Sequence, residues 1–131
     1  MKLAIFDPPL RRSFGGTFPR VINEIFAGAL GGYVNEYPVG GKSNPHSHPN
    51  SQETFICTGG SGIVTVGGKE TPSGEGIVDG EEKVFEKGDV VVVEPGILHQ
   101  IINTSIYPLT CVCLLDPPLS DEAFRVVHSS P

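Results

Sequence analysis

Apolar residues along this chain fall in short alternating runs separated by glycine, proline and acidic turns, the pattern of strands rather than of long helices. Residues 30–39 carry Tyr33, Val34 and Tyr37 and close on Gly40-Gly41, which predicts a strand leading into a turn. Residues 54–58 form a second apolar run, ending at Gly59-Gly60. Residues 63–66 then meet Gly67-Gly68, a dipeptide that can supply the positive backbone angles of a two-residue hairpin turn, with 69–71 as the return strand. Residues 72–82 are Gly-rich and acidic, so a protruding loop or a weak hairpin turning at Asp79-Gly80 is expected. Beyond it, 83–86 is a short strand and Val90–Val93 a β-branched run suited to a buried strand. Residues 97–103 and 109–115 alternate and give two more strands before Asp116-Pro117-Pro118 ends the pattern. Ser120 can cap a short terminal helix, with Asp121 and Glu122 in its first turn.

Composition sharpens this into one all-β domain over residues 1–131. Gly 17 and Pro 12 make up more than a fifth of the 131 residues, as tight turns between short strands require. The chain is long enough to bury a core without staples. Asp-Pro-Pro-Leu recurs at 7–10 and 116–119 and reads as two strand boundaries. A net charge of −6 with only nine Lys and Arg argues against nucleic-acid and membrane partners. Cys57, Cys111 and Cys113 form an odd set without a C-x-x-C pair, so three free thiols and a reducing, cytoplasmic setting are expected. The apolar N-terminal run stops at Asp7-Pro8-Pro9, before signal-peptide length.

Chemistry concentrates in three histidines and one glutamate. His46 and His48 are two residues apart, a spacing that turns both imidazoles to one face of an extended segment. The Pro49-Asn50-Ser51 turn lets Glu53 return to the same point, and His99 can arrive from a distant strand if the sheet closes. Three imidazoles and a carboxylate suit one divalent transition metal ion: Fe, Mn, Ni, Co, Cu or Zn. Phe55 and Cys57 share the parity of Glu53, and Ile101 and Asn103 that of His99, so all four are expected inside, mainly as core. Tyr33, Asn35 and Tyr37 share a parity that leaves two readings open, a ligand-facing wall or an outward polar face. For Arg11, Arg12 and Arg20, ordinary solvated charges are the stronger reading over anchors for a substrate carboxylate, and His128 reads as a surface residue.

These residues resemble the cupin family. Its first motif is matched at Gly40, His46, His48, Glu53 and Gly60, and its second at Gly88, Gly96, His99 and Asn103. The one departure is Glu94, where the pattern has proline, with Pro95 beside it. The resemblance, carried by residues 40–60 and 88–103, implies a double-stranded antiparallel β-barrel (jelly roll) with His46, His48, Glu53 and His99 as metal ligands. It further implies a metal-dependent enzyme on a small polar organic substrate, with dioxygenase ranked first and lyase, decarboxylase, isomerase or cyclase second. The alternative is a non-catalytic metabolite- or metal-binding barrel. One-barrel members also pair through sheet edges, so a homodimer is expected.

Overall fold

A computed structural model describes residues 12–15, 20–120 and 123. In chain order the strands are β1 (Arg12–Gly15), β2 (Val21–Ala27), β3 (Gly31–Tyr37), β4 (Gln52–Gly59), β5 (Ser61–Val66) and β6 (Lys69–Glu70). They continue with β7 (Ile77–Val78), β8 (Glu81–Glu86), β9 (Val90–Val93), β10 (His99–Ile102) and β11 (Leu109–Asp116). Every pairing is antiparallel. A six-stranded sheet runs β1-β2-β3-β11-β4-β9, a three-stranded sheet runs β10-β5-β8, and β6 and β7 form a separate ribbon.

Alternation decides which side chains meet. β11 buries Leu109, Cys111, Cys113 and Leu115 and leaves Thr110, Val112 and Leu114 half-buried on its other face. Ile22, Phe55 and Leu109 of the large sheet share one core with Val64, Phe85 and Ile101 of the small one. The two sheets therefore close over each other as the expected jelly roll, each large buried side chain contributing about 1.5–3 kcal/mol. The motif glycines Gly40, Gly60, Gly88 and Gly96 all have φ between 75° and 93°. At Gly60 a side chain would also run into the backbone of Pro108, so no other residue fits that turn.

The structure corrects four expectations. β6 does not return along β5, because β5 is a central strand whose edges are taken by β10 and β8. The exposed pair Lys69–Glu70 cannot displace a six-residue strand that buries Phe85, so it pairs with β7 instead. Val90–Val93 is an edge strand with only Val91 and Val93 buried. β2 fills a stretch the pattern left unassigned, because its inward positions include a carboxylate, Glu24, that is 0 % exposed. Arg20 is not a solvated charge: it is 3 % exposed and donates to Asn44 Oδ1 at 3.0 Å and to Lys42 O at 3.4 Å. The side chains of Arg11, Arg12 and His128 lie outside the described residues. So does the terminal helix except at Ala123, whose N–H donates to Ser120 Oγ at 3.0 Å. Among the described residues no helix is long and apolar enough to cross a membrane.

Candidate metal centre

Main-chain bonds bring the two motif segments together before any side chain is considered. His46 N–H donates to His99 O at 3.0 Å and His99 N–H returns to His46 O at 2.9 Å, an isolated antiparallel bridge. One turn further on, Gly96 N–H donates to His48 O at 2.9 Å. Glu53 sits in β4 between Leu115 of β11 and Val93 of β9, so its backbone is held on both edges. Ser51 anchors the intervening turn through its Oγ, which donates to Pro117 O at 2.7 Å.

The four expected ligands converge. One donor atom from each of His46, His48, Glu53 and His99 lies within 4.8 Å of all the others, and these residues could hold a metal ion. His48, Glu53 and His99 are buried and His46 is half-buried. The Nδ1–H of His46 donates to Asn44 O at 2.8 Å and that of His99 to Ile97 O at 3.0 Å, which leaves Nε2 of each ring as the lone-pair atom. Glu53 Oε1 lies 2.9 Å from His48 Nε2 and 3.0 Å from His99 Nε2. His99 thus has an acceptor opposite each ring nitrogen, an arrangement a neutral imidazole satisfies on one side only. Either a proton or a cation must stand between Nε2 and the carboxylate, and the donor set fits a cation. His48 differs, since its buried Nδ1 has no hydrogen-bond partner.

Burial pushes the Glu53 carboxyl up, yet the imidazoles of His48 and His99 beside it outweigh burial and hold the group well below the usual carboxylate range. Glu53 therefore presents an anion to the cluster. The inward parity of Phe55, Cys57, Ile101 and Asn103 is as expected, and all four are buried. Phe55 packs edge-on to His99 with ring centroids 5.6 Å apart. Asn103 clamps the loops instead of joining the cluster, donating to the carbonyls of Tyr37, Pro38 and Tyr107 at 2.8–3.1 Å. The three cysteines are free and buried.

Tyr33, Asn35 and Tyr37, which the sequence left undecided, all point inward. Asn35 Nδ2 donates to Cys113 Sγ at 3.2 Å and to Tyr37 Oη at 3.4 Å, and Tyr33 Oη donates to Glu24 Oε2 at 2.7 Å. Burial, with Cys111, Cys113 and Glu53 near by, pushes the Tyr37 hydroxyl well above its ordinary pKa, so it stays neutral. The available signal was Glu36, a charged residue of opposite parity on the same strand. A cleft of about 240 Å³ borders the cluster at His48 alone and is otherwise lined by residues such as Pro49, Ser51, Pro117, Leu119 and Ala123.

A jelly roll whose His-His-Glu-His cluster is carried by both glycine-bounded motifs is the architecture of cupins. The family model described as Cupin matches residues 22–123, and the chain belongs to that family. An uncharacterized protein of Methanocaldococcus jannaschii is 32% identical over 91 residues, 70% of this chain and 63% of that protein. The chain thus spans less than two thirds of that relative's length. Among solved structures, an uncharacterized conserved protein with a double-stranded beta-helix domain from Klebsiella pneumoniae superposes with a TM-score of 0.66 at 19% identity, covering 89% of this chain and 90% of that one. A recombinant oxalate oxidase in complex with glycolate gives a TM-score of 0.66 at 19% identity, covering 86% of this chain and 59% of that one. At such identities these two share the fold.

Proposed function

We propose that His46, His48, Glu53 and His99 bind one divalent transition metal ion, and that the chain is a metal-dependent enzyme acting on a small, oxygen-rich polar substrate. The observation that carries this reading is the convergence of three imidazoles and one carboxylate within 4.8 Å, with two rings already fixed in the tautomer that presents Nε2. Three neutral imidazoles and one carboxylate leave a dication with about one net positive charge, which favours substrate oxygens bearing negative charge. When bound, such an ion supplies Lewis acidity toward those oxygens and, if redox-active, electron exchange with dioxygen.

The residues of this chain do the rest. Asn44 O and Ile97 O hold the rings of His46 and His99, Glu53 stays ionised, and Phe55 keeps one flank of His99 apolar. A dioxygenase is the first choice of reaction, followed by lyase, decarboxylase, isomerase or cyclase. The fold shared with an oxalate oxidase that holds glycolate supports a small oxygen-rich acid as the substrate class. The burial of three of the four ligands favours a second reading, a non-catalytic metabolite- or metal-binding barrel.

Elemental analysis of protein purified without tag or added metal, followed by dioxygen uptake against a panel of small acids, phenols and thiols, tests the proposal. One metal per chain with uptake on a panel member supports the enzyme. Metal without turnover supports the binding barrel, and no metal after purification or reconstitution overturns the metal site and the enzyme and leaves only a metabolite-binding barrel.

A further inference from the structure

His48 is the imidazole of the cluster that no main-chain carbonyl orients. The rings of His46 and His99 each donate from Nδ1 to a carbonyl oxygen, that of Asn44 and that of Ile97. His48 turns Nε2 to Glu53 Oε1 at 2.9 Å, so its other nitrogen is directed away from the cluster. That atom, Nδ1, is buried without a hydrogen-bond partner, in a residue 3 % exposed. His48 is also the member of the cluster that borders the cleft of about 240 Å³. The turn at Pro49 and Ser51 makes one wall of this cleft, and Pro117, Leu119 and Ala123 make the other. The bond from Ser51 Oγ to Pro117 O, 2.7 Å long, ties the two walls together.

We propose that this cleft binds a small carboxylic acid with an apolar body, one carboxylate oxygen of which accepts the Nδ1–H of His48. Given the metal reading above, on which this rests, His48 offers Nε2 to the ion and carries its proton on Nδ1. A buried donor left unpaired penalises the state that contains it. An acceptor supplied from the cleft removes that penalty, so acid and metal bind with positive coupling, each raising the affinity of the other by the same factor. As Nδ1 is itself buried, the acid reaches it through a small rotation of this ring, which no carbonyl holds in place. Charge and lining choose the class of ligand. The loaded cluster keeps about one positive charge, which favours an anion over a neutral acceptor. Pro49, Pro117 and Leu119 offer apolar contact, and no charged side chain lines the cleft among the described residues, so the anionic end depends on His48. At ~30 Å³ per water-sized group the volume holds about eight such groups, the size of a short branched or single-ring acid.

Chelator competition for Zn²⁺ on the full chain, with and without benzoate, tests the proposal. Benzoate is expected to tighten Zn²⁺ binding by about tenfold or more, the scale on which outer hydrogen-bond partners act on metal ligands. Benzamide, which keeps an acceptor oxygen but no charge, should have a smaller effect, and an equal effect overturns the assignment of an acid. Ala123→Trp narrows the cleft; once shown by far-UV circular dichroism to be folded, it should take up Zn²⁺ and lose the benzoate effect. In Zn²⁺-loaded wild type carrying nitrogen-15-labelled histidine, benzoate should shift the Nδ1 resonance of His48 while those of His46 and His99 stay nearly fixed. Benzoate bound directly on the ion would instead move all three imidazoles and keep its effect in Ala123→Trp, and either result overturns the proposal. Zn²⁺ binding that ignores benzoate also overturns it and leaves the metal site standing, whereas no Zn²⁺ binding with or without benzoate overturns both.

Discussion

The two faces of the six-stranded sheet are built from alternate residues of the same strands, and they divide the chemistry against expectation. Inward, the sheet carries Glu24, Tyr33, Asn35, Tyr37 and Glu53; outward, it carries Val34, Ile56, Val112 and Val90. Burial of the polar set is tolerated because its members find partners, such as the Tyr33 hydroxyl on Glu24 and the two imidazoles on Glu53. The difference teaches that in this barrel polarity marks the interior, while the outward rows of the same strands are apolar.

The comparison can be broken most severely from inside. Phe55→Ala should destabilise the fold by about 3–5 kcal/mol through loss of buried area and the cavity left beside His99, read from chemical denaturation. Next comes the metal centre. His48→Ala should lower metal affinity by more than about a hundredfold, whereas Glu53→Gln keeps an oxygen ligand and should lose less, measured by elemental analysis and chelator competition. Both proteins should still fold, since the core lies between the sheets. If His48→Ala kept stoichiometric metal at unchanged affinity, the four-ligand site would be wrong. Tyr33→Phe removes the donor to Glu24 and should cost about 1–3 kcal/mol, and a cost near zero would show that the inward polar set is not held by its hydrogen bonds.

A smaller effect follows pH. Burial raises the Cys113 thiol and the Tyr37 hydroxyl above their ordinary values of 9.0 and 10.0. Below the unfolded-state values both states hold these protons and stability is indifferent to them. As pH climbs past those values the unfolded chain releases protons that the folded chain keeps. Stability should then fall by at most about 1.4 kcal/mol per pH unit for each group. Melting temperatures between neutral and alkaline pH test this, and Tyr37→Phe should flatten the uppermost part of the curve. The smallest effect belongs to the solvated side of the small sheet, where Val84→Thr should change stability by no more than about 0.5 kcal/mol.

The convergence of His46, His48, Glu53 and His99 was legible in the sequence because its signal is local: a His-x-His, a glutamate past a turn, and a distant histidine set off by glycines whose positive φ the backbone requires. The strand alternation of β4 and β11 was legible for the same reason. The orientation of Tyr33, Asn35 and Tyr37 was not, because deciding which parity points inward by polarity assumes an apolar interior. β2 was missed where that assumption also fails, at Glu24. The competition between β6 and β8 for the edge of β5 is non-local. Gly67-Gly68 has the backbone angles of a tight hairpin, and only the buried Phe85 further along explains why the nearby return strand loses.

The paired main-chain bonds between His46 and His99, together with the bond from Gly96 to His48, set the spacing of the cradle without using any imidazole. Backbone groups are common to every residue type, so the scaffold is indifferent to what the side chains are. A lineage could exchange one ligand for another, or lose them one at a time, and each intermediate would keep the cradle's shape. Substitutions at these positions would then be experiments in coordination preference performed on a constant mould.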